Sequence, residues 1–314
     1  MNNSLKGKDI LSLSQFDRSS VEHVLHTAKR LSDELTEKRQ LDYLKGYMAS
    51  LIFFEPSTRT FSSFATAVKK MGGQTLEHQN PEHTSSAVKG ETLEDTVRVL
   101  EIYGDILIMR HPQIGAAKRA ADAVNIPVLN AGDGAGEHPT QALLDMFTIY
   151  QSFGKLDNLT GLLAGDLLYG RTIHSLLKAF ALFDNITVYL LAPERLKLPQ
   201  ETQDELKKTS LKIIEIKDES EIPTGCNFWY WTRVQKERFD NKEEYESLKT
   251  RFTITPELLE KKGNKDMIIM HPLPRVGEID PAIDADPRAV YLTREIKGGL
   301  YVRMALLGLV LGVL

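Results

Sequence analysis

The sequence predicts an α/β protein of two domains, each a parallel β-sheet flanked by helices. Three observations carry that expectation. The chain has 314 residues, about twice the length of one ordinary domain. Short apolar runs of strand character alternate with stretches of helical period along its whole length, an order that places helices over parallel sheets. The series also breaks once, after a long helical stretch ending at Gly154, and Asn158 opens a second run of the same kind.

In chain order, the strand-like runs are Met48–Phe54, Asp105–Met109, Pro127–Leu129, Gly161–Ala164, Ile186–Leu191, Asn227–Trp231 and Met267–Met270. After Ser57 the apolar positions Phe61, Phe64, Ala65, Val68 and Met71 recur at helical spacing, and Gly72-Gly73 supplies a stop. Leu143, Leu144, Phe147 and Tyr150 mark a long helix from about Pro139 to Phe153. A last helix, about Arg294 to Val313, is expected to dock back on the domain where the chain began. The expected division is therefore 1–139 with a returning helix at about 295–314, and 140–294. The stretch from Lys236 to Glu244 carries charges of both signs and reads as an exposed, mobile loop. Gly161 and Gly165 have the wrong spacing for a dinucleotide fingerprint, so no nucleotide cofactor is expected.

The chain is 42% apolar and 26% charged, ordinary values for a folded globular protein. Thirty-nine Lys and Arg stand against 43 Asp and Glu, a net charge of −4, which is too balanced for a nucleic-acid binder. Any anion site must be built locally. Cys226 is the only cysteine, which rules out an intrachain disulfide and a zinc site of several thiolates, and a reducing cytoplasm is the natural compartment. The N-terminus lacks the apolar core of a secretory signal, and the apolar run Met304 to Leu314 is too short to span a bilayer. No membrane partner is expected.

Phe53-Phe54-Glu55-Pro56-Ser57-Thr58-Arg59-Thr60 puts a strand end, a Pro and then hydroxyls and a guanidinium on the first turn of a helix. Helix N–H groups, the positive end of the dipole and an Arg that grips two oxygens converge there, which is a pocket for phosphate. Further strings follow in order: Arg110-His111-Pro112, Gly132-Asp133-Gly134, His138-Pro139-Thr140-Gln141, Gly170-Arg171-Thr172, Thr232-Arg233-Val234-Gln235 and His271-Pro272-Leu273-Pro274-Arg275. Together, from about Leu5 to Leu311, they resemble the transcarbamoylase family, in its aspartate branch. The ornithine branch typically carries Cys where Pro272 stands and lacks the Arg-x-Gln of Arg233 and Gln235. A catalytically silent homologue serving as an assembly partner would show an eroded site, whereas every expected position is filled.

The resemblance implies transfer of a carbamoyl group from carbamoyl phosphate to the amine of L-aspartate, early in pyrimidine synthesis, with no metal or organic cofactor. It further implies an active site in the cleft between the domains, shared between subunits of a homotrimer. By the same resemblance Ser57, Thr58, Arg59 and Thr60 hold phosphate, and Arg110 contacts phosphate and carbonyl oxygens. Thr60 and His138 aim at the carbamoyl oxygen, where charge builds as the amine attacks, and Gln141 holds the amide. Ser85 and Lys89 reach into the neighbouring subunit's site. Arg171 binds the α-carboxylate of aspartate, and Arg233 with Gln235 binds its side-chain carboxylate. The carbonyls of Pro272 and Leu273 orient the amine. Arg59, Thr60, Lys89, Arg110 and His138 are the catalytic set. An alternative role for Arg233 is pairing with the acidic stretch after it, and His111 and His271, each before a Pro, read as structural. Phe61, Val88 and Leu168 depart from common family residues; the last puts regulation by analogy in doubt.

Overall fold

The computed structural model describes residues 5–81, 90–134 and 136–314. The chain divides into two compact units, Met1–Phe147 with Lys297–Leu314, and Thr148–Ile296.

In the first unit β1 (Met48–Phe53), β2 (Gln74–Gln79), β3 (Ile106–His111) and β4 (Val128–Asp133) form one sheet. Their order is β2-β1-β3-β4, and each neighbouring pair is parallel. The chain thus adds β2 on one side of β1 and then β3 and β4 on the other. Central strands such as Met-Ala-Ser-Leu-Ile-Phe are buried almost throughout, as strands covered on both faces must be. α1 (Arg18–Lys38), α2 (Thr58–Lys70), α3 (Leu93–Tyr103) and α4 (Ala116–Ala123) are the helices of this unit up to β4 among the described residues. On α2 the apolar stripe read from the sequence is the buried face: Phe61, Phe64, Ala65 and Val68 are all buried. Each of the larger three contributes roughly 1.5–3 kcal/mol by leaving water. α5 (Pro139–Phe153) follows β4, and the division between units falls within it.

The second unit holds β5 (Thr160–Ala164), β6 (Thr187–Leu191), β7 (Lys212–Ile216), β8 (Phe228–Trp231) and β9 (Ile268–Met270) in the order β7-β6-β5-β8-β9, again all parallel. α6 (Arg171–Phe180), α7 (Gln200–Leu206), α8 (Lys242–Leu248) and α9 (Pro256–Lys262) join these strands. β8 is Phe-Trp-Tyr-Trp and wholly buried. Gly161 on β5 gives the Phe228 ring its room, since a Cβ there would run into that ring; the glycine serves packing. The last helix, α10 (Arg294–Leu311), ends in the first unit, where the Gly7 N–H donates to the Val310 carbonyl at 2.8 Å.

Two strands escape the sequence reading, β2 and β7. Both are edge strands with mostly half-exposed or exposed residues, so the apolar run that marks a central strand is missing. The stretch from Lys236 to Glu244 also corrects its reading as a loop. It forms a 3-10 turn, Lys236–Arg238, and then the start of α8, where the Asn241 side chain accepts the Glu243 N–H at 2.8 Å. Phe239 and Tyr245 anchor it beside Leu196 and Val234. The alternating charges hide these two apolar anchors.

Candidate active site

In open parallel sheets ligands gather beyond the carboxyl ends of the strands, where the strand order reverses. In the first sheet that place lies between β1 and β3. β1 runs out through Glu55-Pro56 into α2, with Ser57 at the N-cap position. An N-cap serine ordinarily accepts a hydrogen bond from the first turn, but the Ser57 side chain makes no capping bond, which leaves that hydroxyl for another partner. Thr58 and Arg59 are exposed on the first turn and Thr60 is buried. Arg110 sits opposite Phe53 in the parallel register. It is buried, donates from Nη1 to the Ala131 carbonyl at 3.2 Å, and holds Nη2 3.0 Å from Glu55 Oε2. A helix first turn bearing hydroxyls and one fixed guanidinium thus come from adjacent strand ends.

The end of β4 brings the next group. Asp133 accepts the Glu137 N–H at 2.7 Å and the Gly115 N–H at 3.0 Å, and so folds the connection into α5. His138 is buried there, with Nδ1 3.4 Å from Thr140 Oγ1. Gln141 donates from Nε2 to Asp145 Oδ1 at 2.9 Å. A carboxylate only accepts, so the amide orientation is determined and Oε1 is the end turned away from Asp145. Beneath this turn lies a residue that the sequence reading missed. Arg303 of α10 donates to Ser63 Oγ at 2.9 Å, approaches Thr140 Oγ1 at 3.5 Å and lies 5.1 Å over the Phe64 ring. Burial pushes its guanidinium down to about 10, against the opposing charge of Asp145.

In the second sheet the strand order reverses between β5 and β8. Gly165, at φ +108, lets the two strand ends close up, because a Cβ would collide with the Thr232 carbonyl. Asp166 then ties the two turns together. Its own N–H donates to Thr232 Oγ1 at 3.1 Å, while its carboxylate accepts the Tyr169 N–H at 2.9 Å and the Gln235 N–H at 3.3 Å. Burial raises its carboxyl pKa, opposed by N–H groups of Tyr169, Gln235 and Leu168 and by the charge of Arg233. Arg171 opens α6 at one turn, and Arg233 and Gln235 stand on the other. Gln235 donates from Nε2 to the Tyr169 carbonyl at 2.8 Å.

Arg233 takes the alternative role that the sequence allowed. Its Nη2 and Nη1 meet Glu237 Oε1 and Oε2 at 2.6 and 3.1 Å. The hydrogen bond from Arg233 holds the Glu237 carboxyl below its usual range, and the same bond raises the guanidinium. Such a pair does not exclude a substrate role, because a guanidinium has a second donor edge.

Beyond β9, Pro272 and Leu273 are half-buried, and Leu273 adopts φ +54. His271 accepts the Leu273 N–H at Nδ1, 2.8 Å away, and its Nε2 lies 2.7 Å from Glu278 Oε1. His111 accepts the Gln113 N–H at 3.0 Å and packs 4.7 Å from the Phe54 ring. Ser85 and Lys89 lie outside the described residues. The first unit therefore carries Ser57, Thr58, Arg59, Thr60, Arg110, His138 and Gln141, and the second carries Arg171, Arg233, Gln235, Pro272 and Leu273. Among the described residues no three His, Cys, Asp or Glu side chains cluster as metal ligands.

Residues 8–151 match the family model described as the carbamoyl-P binding domain of aspartate/ornithine carbamoyltransferase, and residues 157–310 match its Asp/Orn binding domain. The chain is 46% identical to an aspartate carbamoyltransferase catalytic subunit of Thermococcus kodakarensis over 98% of both chains. It is 45% identical to a chloroplastic aspartate carbamoyltransferase of Arabidopsis thaliana, covering 96% of this chain and 77% of the relative. Among solved structures, an aspartate transcarbamoylase from Trypanosoma cruzi in complex with carbamoyl phosphate and aspartate superposes with a TM-score of 0.90 at 40% identity, covering 98% of each chain.

Proposed function

Because the chain belongs to the aspartate/ornithine carbamoyltransferase family, we infer that it is an aspartate carbamoyltransferase, joining the carbamoyl group of carbamoyl phosphate to the α-amine of L-aspartate in pyrimidine biosynthesis. The products are N-carbamoyl-L-aspartate and phosphate. One observation carries the reading for this chain's own residues: each sheet places Arg and hydroxyl or amide groups at its own reversal point, although the net charge is −4.

The division of labour follows the two units. Met1–Phe147 with Lys297–Leu314 binds carbamoyl phosphate, and Thr148–Ile296 binds aspartate. The first turn of α2, with Ser57, Thr58, Arg59 and Thr60, takes the phosphate, and Arg110 spans phosphate and carbonyl oxygens. Thr60 and His138 face the carbonyl oxygen, and Gln141, turned by Asp145, presents Oε1 to the carbamoyl NH2. Arg171 receives the α-carboxylate, Arg233 and Gln235 receive the side-chain carboxylate, and the carbonyls of Pro272 and Leu273 orient the amine.

The neutral amine attacks the carbonyl carbon, a C–N bond forms, and negative charge collects on the carbonyl oxygen. Donors already fixed around that oxygen stabilise the charge without reorganising. Collapse breaks the bond from carbon to the phosphate oxygen, and the departing phosphate takes the amine's proton.

Ser85 and Lys89 complete a neighbour's site within a homotrimer. Self-association is supported by Val99, Ile102 and Tyr103 on α3 and by Ile114, which are exposed apolar residues of the kind that mark interaction surfaces. A cytoplasmic location is proposed from the cysteine usage. The test is product formation by the purified protein from carbamoyl phosphate, with aspartate and ornithine offered separately. Carbamoyl aspartate is the expected product; preference for ornithine, or turnover of neither, overturns the reading.

A further inference from the structure

His271 and Glu278 form a buried polar pair for which the reaction has no direct use. Both side chains are almost wholly buried, at 0% and 2% exposure. Each atom of the pair has a defined task. His271 Nδ1 accepts the Leu273 N–H at 2.8 Å, so in the neutral ring the proton sits on Nε2 and is donated to Glu278 Oε1, 2.7 Å away. The other carboxylate oxygen of Glu278 accepts the Val276 N–H at 2.8 Å. The His271 backbone N–H is itself held by Glu295 Oε2 at 3.0 Å. The two bonds hold the turn Pro272-Leu273-Pro274 at its middle residue and, two residues after it, at Val276.

Within that turn Leu273 has φ +54, a left-handed conformation that L-residues other than Asn and Asp rarely adopt. Prolines on both sides make Leu273 the only backbone donor of the tripeptide. A residue in such a conformation persists where its surroundings over-determine it, and the one donor here is anchored on a buried imidazole. The Leu273 N–H lies in the Pro272-Leu273 peptide plane, so releasing it would free rotation about φ of Leu273 and with it the setting of the Leu273 carbonyl.

We propose that His271 and Glu278 are positioning residues for aspartate: Glu278 fixes the tautomer of His271, and His271 holds the Leu273 N–H so that the Leu273 carbonyl faces the attacking amine. The inference rests on the reading of Leu273 as an aspartate contact.

A single His271→Leu would leave the Glu278 carboxylate buried without its partner, so the test removes both groups. His271→Leu/Glu278→Leu replaces the pair with apolar side chains and leaves neither member buried without its partner; Val276 is an exposed residue, and its N–H turns to water. His271→Asn/Glu278→Gln restores an acceptor, since an Asn side chain bonds the N–H two residues on. Two readouts are taken on each folded protein. In NMR exchange with leucine-selective labelling, the Leu273 amide should be protected in the wild type and in the Asn/Gln variant and exchange at least about ten times faster in the Leu/Leu variant. The Leu/Leu variant should lose on the order of tenfold in kcat/KM for aspartate, the scale of one hydrogen bond, with carbamoyl phosphate affinity unchanged by calorimetry. The Asn/Gln variant should recover most of that loss.

Unchanged aspartate kinetics in Leu/Leu, equal impairment of both variants, or a parallel loss of carbamoyl phosphate affinity would overturn the proposal. So would failure of both variants to fold, which would make the pair a folding element. If the wild type made no carbamoyl aspartate, the functional reading would fall instead, and the exchange data alone would decide whether His271 holds Leu273.

Discussion

Arg233 is paired before any substrate arrives, and removing its partner separates two accounts of the aspartate site. Glu237 meets it with two hydrogen bonds, and the side chains are 27% and 55% exposed. A partly exposed pair of this kind contributes about 0.2–1 kcal/mol, so Glu237→Ala should barely move the melting temperature. Its larger effect is on order. A ligand that must immobilise a long side chain spends about 0.5–1.5 kcal/mol, which at about 1.4 kcal/mol per decade is a factor of roughly 2 to 12. Because Glu237 occupies only the Nη1 and Nη2 edge, the Nε edge is available to the side-chain carboxylate of aspartate. Glu237→Ala should therefore raise KM for aspartate within that range while kcat changes little. Arg233→Ala removes two charge-assisted bonds of about 1.5–3 kcal/mol each, so kcat/KM for aspartate should fall by roughly 10²- to 10⁴-fold with carbamoyl phosphate affinity intact. The assay is initial-rate formation of carbamoyl aspartate at saturating carbamoyl phosphate, with carbamoyl phosphate affinity read by calorimetry. If KM fell in Glu237→Ala, Glu237 would be a competitor for the same edge, and the reasoning above would be refuted. An unchanged KM would make the pair irrelevant to binding.

Arg303→Met takes a buried cation from beside Asp145 and from under Thr140, so it should cost about 3 kcal/mol of stability and lower kcat more than it raises KM for aspartate; Arg303→Lys should recover part of both, and an unchanged kcat would detach Arg303 from His138. Asp166→Asn leaves one acceptor oxygen for the N–H groups of Tyr169, Gln235 and Leu168 that the carboxylate now holds, so KM for aspartate should rise about tenfold or more; normal saturation by aspartate would show that the two turns hold without it. Lys89→Ala and His138→Ala proteins, each almost inactive, should regain up to roughly one-third of wild-type activity when reassembled as mixed trimers with independent sites; recovery no greater than the sum of the parents, with hybrids verified by native mass spectrometry, would confine Lys89 to its own subunit.

The elements that could be read from the sequence are those whose physics is local. β1, β3 and β8 are buried on both faces, so each appears as an apolar run, and α2 shows its stripe because one face packs inward. β2 and β7 close the sheets at an edge and expose half their side chains, so nothing in Gln-Thr-Leu-Glu-His-Gln distinguishes a strand from a loop. The Lys236 to Glu244 stretch fails for a related reason. Its order depends on Phe239 and Tyr245 meeting Leu196 and Val234, a contact between elements some forty residues apart in the chain that no local pattern announces.

The candidate site divides along the same line. Residues that would touch substrate sit in contiguous strings just past strand ends, where a strand, a turn and a helix start are all encoded within about ten residues. Residues that hold them in place are scattered. Arg303 reaches Ser63 across 240 positions and Thr140 across 163, and Asp166 reaches the Gln235 N–H across 69. The return of α10 to the first unit brings Arg303 to Ser63 and Thr140, and the parallel register of β5 and β8 brings Asp166 to Gln235. Phe53 stands opposite Arg110, and Ala164 opposite Trp231, so a register slip of one residue would carry Arg110 away from the first turn of α2 and turn its side chain to the other face. The strings past the strand ends are thus necessary but not sufficient for the proposed site. The buried core of each sheet, by enforcing register, sets the distance between a guanidinium on one strand end and a helix N-terminus on the next, and the site's geometry is a property of the packing as much as of the motifs.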